Sequence, residues 1–314
     1  MKITISVYNI ENLFIQKANP DLPPFTPYKS DKKLEQLKKV FEDIDADIYA
    51  LSEVGGLDSL TYFNNEYLNG EYVPALIKGN SDRGIEIGFL VKKGLELRYA
   101  QYTYKNHPID FNYPHELNWL KEDPKSSLPT YYMSRDLSEL QIFHKADTNK
   151  ENPLAILFNV HLKSQRDPEG IDPRSKKRRQ AELEFTLKSY YKTQEAHPHI
   201  PILICGDFNG NASDLKTDEE FKKIYSHYHL RDVLSIADLP HDRRPTYFLF
   251  NGQSKLPIQL DYAFIDEKKV HLIEDIAIYR YKNDLGNPKH LPRTKYDVWN
   301  NPSDHYPIVF TLEI

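Results

Sequence analysis

The chain has 314 residues, 39% hydrophobic and 12% aromatic, and a formal net charge of −5. This hydrophobic content is sufficient for a substantial core, while the acidic balance gives no global basic field that would attract nucleic acid. The single cysteine, Cys205, excludes an intrachain disulfide and fits a reducing compartment.

The first third of the chain predicts strands that alternate with helices. A proline-rich loop at 20–27 separates the first strand from the first helix, for which Ser30 is the predicted N-cap. The predicted elements, in chain order, are a strand at 3–7, a helix from Ser30 to about residue 44, a strand at 47–51, a helix at 58–68 and a strand at 85–91.

Residues 103–130 interrupt this rhythm, because four X-Pro pairs predict an irregular insertion that is too long for a simple connection. Regular elements resume beyond it. They are strands at 131–143 and 154–160, a long polar helix at 173–195, a strand at 202–205, a helix at 217–228, and strands at 246–250, 259–265, 270–279 and 306–312.

Strands and helices interleave throughout the chain, and no Gly/Ser linker divides it. This pattern predicts one domain over residues 1–314, built from two packed mixed sheets with helices outside. The N-terminal residues alternate like a strand and lack the apolar stretch of a signal peptide, and no segment has the length of a membrane span. We therefore expect a cytoplasmic protein, and the sequence indicates no obligate protein partner.

Acidic and histidine residues stand at the ends of several strand-like apolar runs. A strand that stops at a polar residue delivers that side chain to the rim of a sheet, where loops build active sites. Such a set suits one hard cation and acid/base chemistry on a phosphate ester. The segments are Leu51-Ser52-Glu53, Asn159-Val160-His161, Gly206-Asp207-Phe208-Asn209 and Ser303-Asp304-His305.

These segments, in this order, resemble the endonuclease/exonuclease/phosphatase superfamily over nearly the whole chain. The resemblance implies an α+β fold, the four-layer α/β/β/α sandwich of deoxyribonuclease I-like proteins. Some family members carry tyrosine where this chain has His161, so the chain is closer to the deoxyribonuclease-like and bacterial-type branches. The family further implies Mg²⁺ as cofactor, with Mn²⁺ as a substitute, held by Asn9, Glu53 and Asp304.

The resemblance also implies a catalytic set. In the family, the residue matching Asp207 orients or deprotonates the attacking water, and the one matching Asn209 donates to a phosphate oxygen. His305 contacts the scissile phosphate and pairs with Asp261, which fixes its tautomer and favours its protonated form. His161 matches the second family histidine.

Substrate contacts are expected from Lys163, Ser164, Arg135 and Tyr247. Two further features stay open at this point. Glu86 is either the carboxylate that orients His161 or a structural surface glutamate. The basic run 176–179 is either a nucleic-acid patch or a solvated helix face.

The leading interpretation is a metal-dependent phosphoester hydrolase that cleaves nucleic acid without sequence preference, by in-line attack of an activated water. It depends on the paired histidines and on the basic residues that follow His161. A first alternative is a phosphatase or phosphodiesterase acting on a small-molecule or lipid phosphate; exposed aromatic residues of the insertion, such as Phe111, Tyr113, Trp119 and Tyr131, would favour a lipid. A second alternative is a catalytically silent binding module on the same fold.

Overall fold

A computed structural model of the chain describes residues 1–23, 25–122, 127–252 and 254–314. Residue 24 of the proline-rich loop and residues 123–126 of the predicted insertion lie outside these ranges. The strands are β1 Lys2–Leu13, β2 Ile48–Val54, β3 Tyr72–Ala75, β4 Glu86–Lys92, β5 Leu97–Thr103, β6 Pro108–Ile109, β7 Tyr131–Tyr132, β8 Leu137–His144, β9 Pro153–His161, β10 Ile202–Asp207, β11 Leu230–Asp232, β12 Tyr247–Asn251, β13 Ser254–Ile258, β14 Asp261–Asp266, β15 Ile273–Ile278 and β16 Ile308–Glu313.

The helices lie between and outside the strands. They are α1 Asp31–Ile44, α2 Leu57–Tyr67, α3 Pro114–Glu122, α4 Lys176–Ala196, α5 Lys223–Ser226, α6 Val233–Ile236 and α7 Lys295–Trp299. Ser30 is the N-cap of α1, as predicted, and its side chain accepts a hydrogen bond from Lys33 N. Among the described residues, none of the helices has the length and apolar character needed to cross a membrane.

Two six-stranded sheets form the centre of the molecule. The strand order is β15-β16-β1-β2-β4-β3 in the first sheet and β11-β14-β10-β9-β8-β5 in the second. Each sheet is mixed, because β1 and β2 pair in parallel, as do β9 and β10, while the other strand pairs are antiparallel.

Three buried apolar clusters hold these layers together. One lies between the sheets, where Ile5 and Phe89 of the first pack with Leu157 and Ala263 of the second. The others join each sheet to its helices: the residues include Leu37 and Phe63 on the side of α1 and α2, and Leu183 and Leu187 on the side of α4. The result is the predicted four-layer α/β/β/α sandwich, which confirms the fold class.

Several predicted elements differ from the structure. The insertion at 103–130 is not irregular throughout, since it contains β6 and α3, which begins at Pro114 because proline suits the first position of a helix. Within the predicted helix 217–228, only α5 and a 3₁₀ turn over Glu219–Phe221 are helical. Phe221 at the end of the 3₁₀ turn and Ile224 in α5 are both buried in the core.

Candidate active site

Three predicted site residues occupy one row across the second sheet. In the strand register, Asp207 at the end of β10 pairs with His161 at the end of β9 and with Asp261 at the start of β14. Residues paired in this way project from the same face of a sheet on strands about 5 Å apart. The sheet therefore brings the three side chains together, although up to 100 residues separate them along the chain.

Asp207 is the centre of this group and is buried. Its Oδ2 accepts a hydrogen bond from Asn9 Nδ2 at 3.0 Å, and its Oδ1 accepts one from Asn209 N at 2.8 Å. The Nε2 atoms of His161 and His305 lie 3.7 and 3.9 Å from Oδ2. Burial raises the pKa of Asp207 to about 7, with the charge of His305 opposing this change.

His305 is held by Asp261, whose Oδ2 lies 2.7 Å from His305 Nδ1. Burial by itself would lower the pKa of His305, but the charge and hydrogen bond of Asp261 raise it well above its ordinary value, with Asp304 and Asp207 adding to the effect. The Ser303 hydroxyl donates to Asn9 O at 2.7 Å and accepts from His305 N at 3.0 Å. The final loop is thus fixed against β1 with a protonated imidazole in the site.

His161 has the opposite electrostatics. Burial lowers its pKa well below the ordinary value, and the charges of Arg135, His305 and Arg83 lower it further. Its Nδ1 has no hydrogen-bond partner among the described residues. The pKa values of the two site histidines, His161 and His305, are therefore shifted in opposite directions.

Neither predicted alternative for Glu86 is correct, because this side chain is buried and accepts a hydrogen bond from Gly79 N at 2.8 Å.

Asn209 reaches the site by a turn and not by strand alternation. The strand ends at Asp207, and Asn209 has a φ of 52°, a left-handed conformation that asparagine tolerates. Its Nδ2 donates to Leu162 O at 3.0 Å, which leaves a second N–H for a ligand. At Gly206 a Cβ atom would lie 1.9 Å from Val160 O, so only glycine permits this close approach of β10 to β9.

The predicted metal ligands converge from the first sheet and the final loop. Burial raises the pKa of Asp304 and the charges of Glu11 and Glu53 raise it further, although the charge of His305 lowers it. These carboxylates therefore lie near enough to repel one another. A divalent cation would offset this repulsion, and carboxylate oxygens are the ligands that Mg²⁺ prefers, so the residues fit such an ion. Asn9 connects to Asp207 through Nδ2, while its Oδ1 accepts from Glu11 N at 3.0 Å and keeps a second lone pair, so its role as a metal ligand stays a prediction.

A second set with metal-ligand geometry differs from the predicted one. Ligand atoms of Asp207, Asp261 and His305 all lie within 4.8 Å of one another. The raised pKa of His305 favours its imidazolium form, which lies between the carboxylates of Asp207 and Asp261. The positive charge of His305 already offsets the negative charge of these carboxylates, so acid/base chemistry is favoured over metal binding at the same atoms.

The predicted substrate residues surround this centre. Lys163 and Ser164 follow His161 and are half-buried, and Arg135 is buried with its Nη1 3.5 Å from Leu162 O. The Tyr247 ring lies against His305, with centroids 5.0 Å apart. Burial and then the charges of Asp304 and Asp207 raise the pKa of Tyr247 to about 12, so this hydroxyl keeps its proton.

The basic run 176–179 fits neither predicted role as a unit. Lys176 and Lys177 are exposed, but Arg178 and Arg179 are buried in the protein. Arg179 Nη2 donates to Glu220 Oε1 at 2.6 Å, and Arg178 Nε donates to Glu182 Oε1 at 3.2 Å. The two arginines hold α4 in place, so the interpretation of all four residues as one nucleic-acid patch or one solvated face is wrong.

Two further residues near the site, Lys29 and Arg83, were not predicted. Lys29 is buried; its Nζ donates to Pro302 O at 2.8 Å and lies 3.8 Å from Glu11 Oε2, which ties the proline-rich loop to the segment that carries Asp304. Arg83 Nη2 donates to Asn12 Oδ1 at 3.2 Å. Both come from loops whose course depends on tertiary contacts, so strand and helix patterns contain no signal for them.

Three of the four aromatic residues predicted to favour a lipid are packed against other groups. The rings of Phe111, Tyr113 and Tyr131 pack edge to face with centroids 4.7 to 5.7 Å apart, and the Arg178 guanidinium covers Tyr131 at 4.6 Å. Of the four predicted aromatic residues, only Trp119 is exposed, with 43% of the residue accessible to solvent. The feature that would favour a lipid substrate is thus mostly absent from the described residues.

No protein-family model and no curated protein matches this sequence. Solved structures do match. One is TDP2 of Danio rerio in complex with a single-strand DNA product, with a TM-score of 0.60 and 15% identity, covering 100% of this chain and 99% of that chain. Another is an endonuclease/exonuclease/phosphatase family protein of Bacteroides thetaiotaomicron, with a TM-score of 0.57, 17% identity, and coverage of 99% and 98%. A third is a mannosyl-6-phosphatase of the same organism, with a TM-score of 0.57, 15% identity, and coverage of 99% and 100%.

The chain therefore has the fold of endonuclease/exonuclease/phosphatase proteins over its whole length, which confirms the predicted resemblance at the level of the fold. The bacterial-type assignment stays a prediction.

Proposed function

We propose that the protein is a divalent-metal-dependent hydrolase of phosphoesters. The observation that carries this proposal is the position of Asp207, a buried carboxylate between two histidines whose pKa values are shifted in opposite directions. A base with a raised pKa can accept the proton of an attacking water near neutral pH. The protonated His305 can donate to the charge that develops on the phosphate oxygens.

The other side chains of the site have roles that fit this reaction. Asn9 and the backbone of Asn209 orient Asp207 through hydrogen bonds, and Asp261 holds His305 in its charged form. The free N–H of Asn209 and the neutral His161 can donate to the phosphate. Glu53 and Asp304 would hold Mg²⁺, or Mn²⁺ in its place. The ion would supply Lewis-acid polarisation of the phosphoryl oxygen.

As substrate we propose a phosphodiester of nucleic acid, bound without sequence preference. Cationic side chains beside the site support this choice: Arg83, Arg135 and Lys163 lie on the His161 side. A solved neighbour contains a DNA product, but another is a mannosyl-6-phosphatase, so a phosphate monoester of a small molecule is the competing substrate class. A silent module is disfavoured because no member of the predicted catalytic set is replaced, and His161, Asp261 and His305 lie around Asp207.

The test is direct. Purified protein with Mg²⁺ is incubated with plasmid DNA, RNA, mannose 6-phosphate, inositol phosphates and sphingomyelin, in parallel with an Asp207→Asn variant that controls for contaminating enzymes. Cleavage of DNA or RNA by the parent alone supports the proposal. Release of phosphate from mannose 6-phosphate or an inositol phosphate, without nucleic acid cleavage, supports the competing class, and release of phosphocholine from sphingomyelin supports a lipid phosphodiesterase. Failure on all substrates would refute the hydrolase.

A further inference from the structure

A cavity of about 720 Å³ lies beside the catalytic centre. Its wall is rich in cations and tyrosines, with Asp82 and Glu169 as acidic members. The cationic side chains in the wall are Arg83, Arg135, Lys163, Arg166 and Arg178, and the tyrosines are Tyr113, Tyr131 and Tyr132. A polar, positively charged cavity of this size is typical of an anion site and not of an apolar ligand site.

Arg135 is the most informative residue of this cavity. It is 6% exposed, yet within the described ranges its guanidinium makes one hydrogen bond, at 3.5 Å to Leu162 O, and no ion pair with a carboxylate. A guanidinium has five N–H donors, and a buried charge is costly unless it is paired. Burial lowers the pKa of Arg135, and the charges of Glu182, Glu53 and Asp207 oppose this change without forming an ion pair. The remaining N–H donors of the guanidinium are therefore available to an anionic ligand.

Lys163 is a second side chain of this cavity that indicates an anionic ligand. Burial lowers the pKa of Lys163, and the charge of Arg135 lowers it further, so the two cations repel each other. In the part of the chain that the structure describes, the Lys163 ammonium has no carboxylate partner. Glu182, the nearest buried acid, is committed to Lys163 N, Ser134 N and Arg178 Nε. Arg178 is thus paired with a carboxylate of the protein, whereas Arg135 and Lys163 are available to a ligand.

The cavity and the catalytic centre share a wall. Leu162 O accepts from Arg135 Nη1 on the cavity side and from Asn209 Nδ2, at 3.0 Å, on the catalytic side. The charges of Arg135 and Arg83 also act on His161, which lies directly beside Asp207. A substrate whose reacting phosphate is at Asp207 can therefore place another group in the cavity.

We propose that this cavity binds a second phosphate group of the same substrate molecule. The inference rests on the proposed hydrolase function and narrows its substrate class to compounds with at least two phosphates. In a polynucleotide the second phosphate is the neighbouring backbone phosphate, and in a small molecule it is a second phosphoester. Arg135 and Lys163 supply charged hydrogen bonds from the buried side, and Arg166 supplies one from the solvent side.

Matched substrate pairs test the proposal. One pair is the thymidine dinucleotide, with one phosphodiester, against the trinucleotide, with two; the other is mannose 6-phosphate against mannose 1,6-bisphosphate. We expect kcat/KM to be higher for the two-phosphate member of one pair, by a factor on the order of tenfold for each charged contact. The pair that shows the preference identifies the source of the second phosphate. Lys163→Ser and Arg166→Ser should each reduce the preference, mainly through KM.

A matched control is Lys177→Ser, which removes one positive charge from the exposed face of α4 outside the cavity wall. It should leave the preference unchanged. Equal kcat/KM within both pairs, or a preference that survives both cavity substitutions, would overturn the proposal.

Binding separates this inference from the hydrolase proposal. The trinucleotide and the sugar bisphosphate are titrated by calorimetry into the Asp207→Asn protein, with and without Arg166→Ser. If the parent hydrolyses nothing but a two-phosphate ligand binds more tightly than its one-phosphate partner, and Arg166→Ser removes that difference, the cavity is an anion site on a protein of another function. If no two-phosphate ligand binds more tightly than its partner, the cavity proposal is wrong whether or not the protein is a hydrolase.

Discussion

His305 Nδ1 and Asp261 Oδ2 are 2.7 Å apart, and this contact joins the final loop to the start of β14 in the other sheet. The carboxylate raises the pKa of the imidazole against the opposing effect of burial. The charge of the His305 imidazole thus depends on the Asp261 carboxylate. The effect of this coupling on activity can be measured.

Asp261→Asn should lower activity by a factor on the order of 10² and should lower the pKa of His305. His305 acts in its protonated form, so activity is lost as pH rises through that pKa, and the substitution moves this alkaline limb to lower pH. The kcat/KM profile against pH gives the measurement. Because the two residues act as a unit, the double variant with His305→Ala should be little worse than His305→Ala alone. Additive losses would contradict the coupling.

The acidic limb of the same profile should belong to Asp207. Burial raises its pKa to about 7, and the base must be deprotonated to accept a proton from water. The rate should therefore rise with pH through this region and then reach a plateau before the His305 limb. Asp207→Asn should reduce kcat by a factor on the order of 10² or more and abolish the acidic limb. An unchanged limb in that variant would assign it to another group.

Metal dependence is the third prediction. EDTA should abolish activity, and Mg²⁺ or Mn²⁺ should restore it, because loosely held oxygen ligands leave the ion exchangeable. Glu53→Gln should raise the Mg²⁺ concentration for half-maximal activity by about tenfold, consistent with the loss of roughly 1.4 kcal/mol of binding free energy. The exposed Glu66 provides the control, and Glu66→Gln should leave this concentration unchanged. Full activity after exhaustive chelation would refute the proposed mechanism.

The fourth prediction concerns stability. Arg179 is 1% exposed and pairs with Glu220, whose side chain is 2% exposed. Arg179→Met leaves a buried carboxylate without its cation, so the free energy of unfolding should fall by about 3–5 kcal/mol. Lys177→Ser, at an exposed position of the same helix, should change it by less than about 0.5 kcal/mol. Denaturant unfolding of both variants provides the comparison. A further Glu220→Leu substitution should recover part of the loss.

The sequence was sufficient to predict the fold class, because strand-like runs that end in polar residues follow one another in a family order. Asp207 and His161 could be placed together for the same reason, since each stands at the end of a regular strand, whereas Asp261 was added to them by the family resemblance. Element boundaries were less accurate. Strand β13 was missed because four of its five residues are exposed, so no alternation of apolar and polar residues marks it.

Residues that reach the site from loops could not be predicted from the sequence. Lys29 and Arg83 approach the site only because the proline-rich loop and the segment before β4 fold back onto it. The burial of Arg178 and Arg179 could not be predicted either. A run of four basic residues has the same sequence whether its side chains face solvent or pair with buried carboxylates. Glu220, the partner of Arg179, lies 41 residues further along the chain.

The pairing of β1 with β16 also has a consequence for biosynthesis. Asn9, at the N-terminal end of the sequence, contacts Asp207, and its backbone is fixed by Ser303, 294 residues away. While the ribosome is still translating, the first strand lacks its β16 neighbour and the site lacks His305. The groups of the candidate site are therefore together only after β16 has been synthesised, and until then the edge of β1 that pairs with β16 is open to chaperones or to incorrect pairing.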